Sequence, residues 1–339
     1  MIKLLQKLAQ HTRILRGFGV IATALVFLFL IDNILIYVFD WPGLRKLFAH
    51  HGLASAGNAF KGLEGAQIAL GWGQLIAFVT ILAATILWVR RTDHRSLNAD
   101  ANLYSSIAAF IVRAAFWAVL LVGAVDMLIS FLRVEGFLNN IAGEALTTQL
   151  GRPIFRGTYI HYPLIAAAIV IASFSRSLGF IWLSLMIVSA EFLIVITRFV
   201  FSYEQAFMGD LVRFWYAAMF LFASAYTLMH DGHVRVDVLY AGFTDKGKAV
   251  TNTLGALLLG LPLCWTILIL GTASKGSIIN SPLLSFEISQ SGFGMYTKYL
   301  MAAYLMVFAI SMAVQFVSFF LSNMAQFTDS ADHHITEAS

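Results

Sequence analysis

The chain has 339 residues, is 59% hydrophobic and 12% charged, and carries a formal net charge of +4 at neutral pH, with a mean hydropathy of +0.79. Soluble domains carry about 25% charged residues, and a chain of this size cannot hide so much apolar surface from water, so the composition excludes an ordinary soluble globule and points to an all-α integral membrane protein. The dispersed positive charge gives no sign of a nucleic-acid partner, and the single cysteine, Cys264, rules out an intrachain disulfide or a thiol-ligated metal or iron–sulfur site.

In hydrocarbon the backbone has no water to bond, so each crossing is expected to be a helix of about 20 mainly apolar residues. Eight stretches qualify, at about 17–38, 66–89, 105–132, 157–175, 178–200, 211–229, 249–271 and 299–321. The first is read as a span rather than a cleaved signal, because its apolar run continues to Val38 with no small-residue cleavage site. The second and seventh carry no charge. The fourth is the weakest, being short and holding His161 and Pro163. It is needed to keep the basic segments on one side. Lys3, Lys7, Arg13 and Arg16, then Arg90, Arg91 and Arg95, then Arg235, Lys246 and Lys248 share a side only if 157–175 crosses. Both termini are then expected in the cytoplasm, although Arg45, Lys46, Lys61, Arg133, Arg152 and Arg156 fall in the outer loops. The layout suggests an N-terminal region of about four helices over 1–176, a four-helix region over 177–323 and a polar tail over 324–339.

Charged residues within spans are Asp32, Arg113, Asp126, Glu191 and Arg198, each of which should face protein or a water-filled cavity. Glu191 and Arg198 are seven apart and share a helix face. They suit a proton or ion path, or a helix or subunit contact in which charges pair. No second carboxylate lies close in sequence and no helix pair is broken by Gly and Pro, so the contact reading is favoured. Only His161 lies in a span, which rules out a haem held by membrane histidines. The pairs His50–His51 and His230–His233 lack the third cluster that a di-metal site needs. There is no phosphate-binding loop, GxSxG or HExxH. The sequence therefore predicts no catalytic residue, metal or cofactor, and no enzyme.

The apolar run 214–229 stops at HDGHVRVDVLY (230–240). Asp231-Gly232 is a turn signal. After it, His233, Arg235 and Asp237 alternate with valines, which suits an extended segment with one face on protein. If the segment is instead helical, His233 pairs with Asp237 and Asp231 with Arg235. An anchor for the membrane surface would favour Lys and Arg over interleaved aspartates.

AYTLMHDGHVRVDVLY (225–240) resembles the signature of the small membrane subunit of tripartite ATP-independent periplasmic (TRAP) transporters, the DctQ-like permease, and most closely the mannitol/chloroaromatic-type subgroup. Further pieces agree in order. They are TRFVFS (197–202), Asp210 before the second of the four spans, LGALLLGLPLCW (254–265), and SFEISQSGFG (285–294) with Glu287. Lys298 and Gln315 stand where the family has a Lys opening, and a Gln within, its last span. Phe286 departs from the usual Trp, and 292–295 lacks the usual Gly-Leu-Pro. The likeness covers about 178–323 and leaves 1–176 without a counterpart.

The resemblance implies a fixed membrane scaffold, without its own ion site. Its partners would be a large permease subunit that moves substrate and sodium, a periplasmic binding protein that delivers an organic acid or similar solute, and membrane lipid. The implied location is the bacterial inner membrane. His233, Arg235, Asp237 and Asp231 would form a structural contact at the cytoplasmic end. Glu191, Arg198, Asp210, Glu287 and Lys298 would be interface or buried charges. The alternative is a stand-alone eight-span proton- or cation-coupled carrier using Glu191, Asp126 and Asp32.

Overall fold

A computed structural model describes residues 12–55, 62–176, 180–203, 205–230, 240–289 and 294–336. Among these residues there is no strand, and eight helices are long and apolar enough to cross a membrane. In chain order the helices are α1 (Thr12–Tyr37), α2 (Gly43–His50), α3 (Gly65–Arg91), α4 (Leu97–Val134), α5 (Leu138–Leu150), α6 (Pro153–Phe174), α7 (Phe180–Phe201), α8 (Ala206–Met229), α9 (Asp245–Gly271), α10 (Asn280–Ser285) and α11 (Lys298–Thr336). The eight expected spans correspond to α1, α3, α4, α6, α7, α8, α9 and α11; the short α2, α5 and α10 lie in the connections and were not expected.

The two prolines within spans share a local solution. Gly157–His161 and Ala256–Gly260 are π-helical turns, and Pro163 and Pro262 each lie two residues beyond one. Proline has no N–H for the ladder and its ring collides with the carbonyl four residues back. A wide turn moves that carbonyl aside, so α6 and α9 remain continuous.

The described residues fall into two compact units. The first is drawn from Met1–Ser105, Arg235–Pro262 and Phe316–Ser339. Here α1 and α3 run antiparallel, since Arg13 pairs with Asp93 at one end and Gln74 Nε2 donates to Asp32 Oδ1 (2.9 Å) at the other. Gln74 Oε1 accepts from the backbone N–H of Gly43 (3.1 Å), which anchors α2. Gly43 has φ +72°, and a Cβ there would meet the Ile36 side chain at 2.5 Å, so the tight return from α1 requires glycine. Ser96 Oγ caps α4 by accepting from the Ala99 N–H (3.2 Å). Ser318 Oγ donates to the Ala101 carbonyl (2.7 Å), and Phe18 meets Phe320 edge-on, which joins α11 to α4 and α1.

The second unit is drawn from Ser106–Val234 and Leu263–Gln315. Its centre is Trp215, whose indole fills the notch at Gly123 and donates to the Val119 carbonyl (3.1 Å). Tyr304 packs between Phe214 and Phe222, and Phe116 meets Phe180. Within this unit α4 thus shares a core with α7 and α8.

Candidate functional site

The polar centre of the second unit is built around Asp126, an acid toward the C-terminal end of α4. Its Oδ1 accepts from Arg156 Nη1 (2.9 Å) and lies 3.1 Å from His161 Nε2. Its Oδ2 accepts from the backbone N–H of Tyr296 (2.8 Å). All three side chains, Asp126, Arg156 and His161, are fully buried. Arg156 also donates to Ser130 Oγ (3.1 Å) and to the Leu150 carbonyl (2.9 Å), and its guanidinium lies 4.1 Å from the Tyr296 ring centre. His161 Nδ1 lies 3.0 Å from the Tyr299 hydroxyl. With Nε2 carrying the proton, His161 donates to Asp126 and accepts from Tyr299, so one neutral tautomer satisfies both contacts. Asp126 and Arg156 pair one carboxylate with one guanidinium. That is the arrangement in which a buried ion pair persists.

Chain geometry produces this convergence. Pro153 opens α6 at its first position, and the π turn that follows carries His161 to the side facing Asp126. Gly157, in the same turn, lies against the Phe286 ring and the Tyr299 hydroxyl, where any Cβ would collide. The Tyr296 hydroxyl donates to the Gly151 carbonyl (3.0 Å) and accepts from Arg133, which also donates to the Gly294 carbonyl (3.2 Å). Residues 294–298 are therefore gripped on several sides just before α11 begins.

Beside this grip is a recess of about 540 Å³ lined by Asp210, Arg213, Ser289, Thr297 and Lys298 with two methionines. Asp210 Oδ2 accepts from the Met295 N–H (3.1 Å), and Lys298 Nζ donates to Glu287 Oε1 (2.6 Å). Three of the residues singled out from sequence, Asp210, Glu287 and Lys298, thus come together, about 90 residues apart at the extremes. The lining of the recess carries one acid, Asp210, and two bases, Arg213 and Lys298, of which Lys298 is paired with Glu287. Among the described lining residues there is no nucleophile–base pair.

Glu191 and Arg198 do not join it. Both are exposed on the outer face of α7, among the exposed Trp182, Val188, Phe192 and Phe199. Glu191 makes no hydrogen bond or ion pair with the described residues. Asp231, His233, Arg235 and Asp237 lie outside the described residues. Arg156, which the sequence places in an outer loop, is instead a fully buried partner of Asp126. Tyr296, Tyr299 and Ser130 were also missed. The only forewarning was that the weak span carries a histidine and begins at Pro153 beside an arginine. Among the described residues no group of three metal-ligating side chains occurs.

Residues 185–326 match the family model for tripartite ATP-independent periplasmic transporters, DctQ component. Less than half of the chain is covered, and that part is similar to the DctQ component. No curated protein and no solved structure matches the chain. The eight long apolar helices among the described residues make the chain a multi-pass membrane protein.

Proposed function

We propose that the chain is the fixed scaffold subunit of a sodium-coupled TRAP transporter of the mannitol/chloroaromatic-type subgroup. It would sit in the bacterial inner membrane with both termini in the cytoplasm. Its partner is a large permease subunit that moves an organic acid or similar solute, delivered by a periplasmic binding protein. Residues 177–323 form the small-permease region, 1–176 an N-terminal extension that enlarges the scaffold, and 324–339 a polar tail. His233, Arg235, Asp237 and Asp231 form a structural contact at the cytoplasmic end.

One observation carries this reading. Glu191 lies near the middle of α7, faces outward and has no partner among the described residues. A charged side chain at the bilayer centre costs about 2.5–3.5 kcal/mol on an insertion scale. A partner subunit covering this face removes that cost and buries the large apolar side chains around it. Arg198, two turns along the same face, extends the contact toward the helix end. Asp126, by contrast, is fully used in holding Arg156, His161 and Tyr296, so the carrier alternative loses one of its three acids.

The test is purification of the tagged chain in mild detergent from its native host, with co-purifying proteins identified by mass spectrometry. A stoichiometric multi-span partner is expected. A chain that purifies alone and moves solute by itself in liposomes would overturn the scaffold reading in favour of the carrier.

A further inference from the structure

The first unit holds a groove outside the family match. It lies where the start of α1 meets the end of α3. A recess of about 590 Å³ is lined by Arg13, Ile14, Gly17, Ile86, Val89 and Arg90. A second, of about 520 Å³, shares Arg13 and Ile14 and reaches Arg16, Asp93, His94, Arg95 and Ser96. Because two residues line both recesses, they form one groove with an apolar floor and a basic mouth.

The mouth has an excess of positive charge. Arg16 Nε and Arg95 Nε both donate to the buried Asp100, at 2.6 and 2.9 Å. Arg16 is further fixed by the Thr92 carbonyl (2.7 Å) and hydroxyl (2.8 Å). Arg13 pairs with Asp93, and its hydrogen bond holds the Asp93 carboxyl below the ordinary carboxylate range, so that acid is ionised and already engaged. Arg90 is exposed and has no acid among the described residues. Four arginines, Arg13, Arg16, Arg90 and Arg95, thus stand against Asp93 and Asp100.

The floor has the complementary property. Ile14 and Ile86 are exposed at 57% and 44%. Gly17 opens a notch between them, with no atom within 4 Å of where its Cβ would stand. The floor belongs to two membrane spans, so hydrocarbon is its natural contact, while the arginines at the helix ends reach headgroup depth.

We infer that this groove is a binding site for an anionic glycerophospholipid. The phosphodiester sits at the mouth against Arg90 and Arg13, and the first carbons of one acyl chain lie over Gly17. A guanidinium matches a phosphate with two parallel hydrogen bonds, and basic pockets between spans suit anionic headgroups. Free phosphate would leave the apolar floor unused.

The test uses the full chain in detergent, read by thermal unfolding and native mass spectrometry. Phosphatidylglycerol is compared with phosphatidylcholine of the same acyl chains and with glycerol phosphate. Phosphatidylglycerol should raise the unfolding temperature and remain bound, and phosphatidylcholine should do neither. Arg90→Gln should weaken apparent binding about fivefold. Gly17→Leu fills open space, so it should leave the unliganded unfolding temperature unchanged and abolish the lipid shift. Equal shifts with the two lipids, or a shift from glycerol phosphate alone, would overturn the proposal. A full lipid response in Gly17→Leu would also overturn it, leaving a basic rim without a groove.

Discussion

Asp126 and Asp210 accept hydrogen bonds from two consecutive backbone amides, those of Tyr296 (2.8 Å) and Met295 (3.1 Å). One carboxylate comes from α4, outside the family match, and the other from α8, inside it. Between them they fix the entry to α11. A helix outside the family match and one inside it are thereby tied at backbone level, not only by apolar contact.

Asp126→Asn should therefore be severe. It removes the carboxylate that offsets Arg156 and leaves a guanidinium buried without its counter-charge. The expected loss is about 3–5 kcal/mol, as for breaking one side of a buried pair. Thermal unfolding in detergent measures it. The double variant Asp126→Leu with Arg156→Leu should be much milder than the sum of the single changes, because no charge is then stranded. Strictly additive losses would mean that the two side chains are not coupled.

Gly157→Ala should also destabilise, by steric contact. The new methyl group falls on the Phe286 ring and crowds the Tyr299 hydroxyl. Overpacking of this kind costs about 1–3 kcal/mol. Phe286→Leu in the same chain should restore part of the loss by making room. An unchanged unfolding temperature in Gly157→Ala would show that the ring moves aside freely.

The spans were legible in the sequence because hydrocarbon leaves the backbone no alternative, so the length of an apolar run decides the element. Even α6, with His161 and Pro163, reads correctly once the basic segments must share a side. Its internal chemistry was not legible. Nothing in local spacing joins Asp126 to Arg156, 30 residues later, or to Tyr296, 170 residues later. Such pairs depend on how helices pack, and hydrophobic period reports only which residues lie along one helix. Arg156 was misplaced for the same reason, since a cation three residues after a proline at a span's edge looks like a loop residue until its partner is seen. Asp210, Glu287 and Lys298 were picked out by resemblance, and geometry then showed that they meet. The short α2, α5 and α10 lack the run length that betrays a span.

Asp210→Ala tests the second half of the grip. Asp210 accepts the Met295 N–H and lines the polar recess, but it is less enclosed than Asp126. Losing a charge-assisted hydrogen bond at a partly exposed site costs about 1–2 kcal/mol. The clearer readout is local. Hydrogen exchange at the Met295 amide should accelerate more than at the Tyr296 amide, which Asp126 still holds. Equal acceleration at both would mean that the two carboxylates act as one unit and open together.

Glu191→Leu separates a partner-facing role from a fold-stabilising one. The side chain points away from the chain and has no bond to lose among the described residues, so the isolated subunit should keep its unfolding temperature within about 0.5 kcal/mol of stability. The complex should behave differently. If a permease subunit pairs its own cation or hydroxyl with Glu191, replacing it strands that group at membrane depth, and the yield of co-purified partner should fall several-fold. Glu191→Gln, which keeps the hydrogen-bonding capacity, should retain more partner than leucine. Undiminished recovery with leucine would place the subunit contact on another face. Equal loss with glutamine and leucine would instead assign the contact to charge alone.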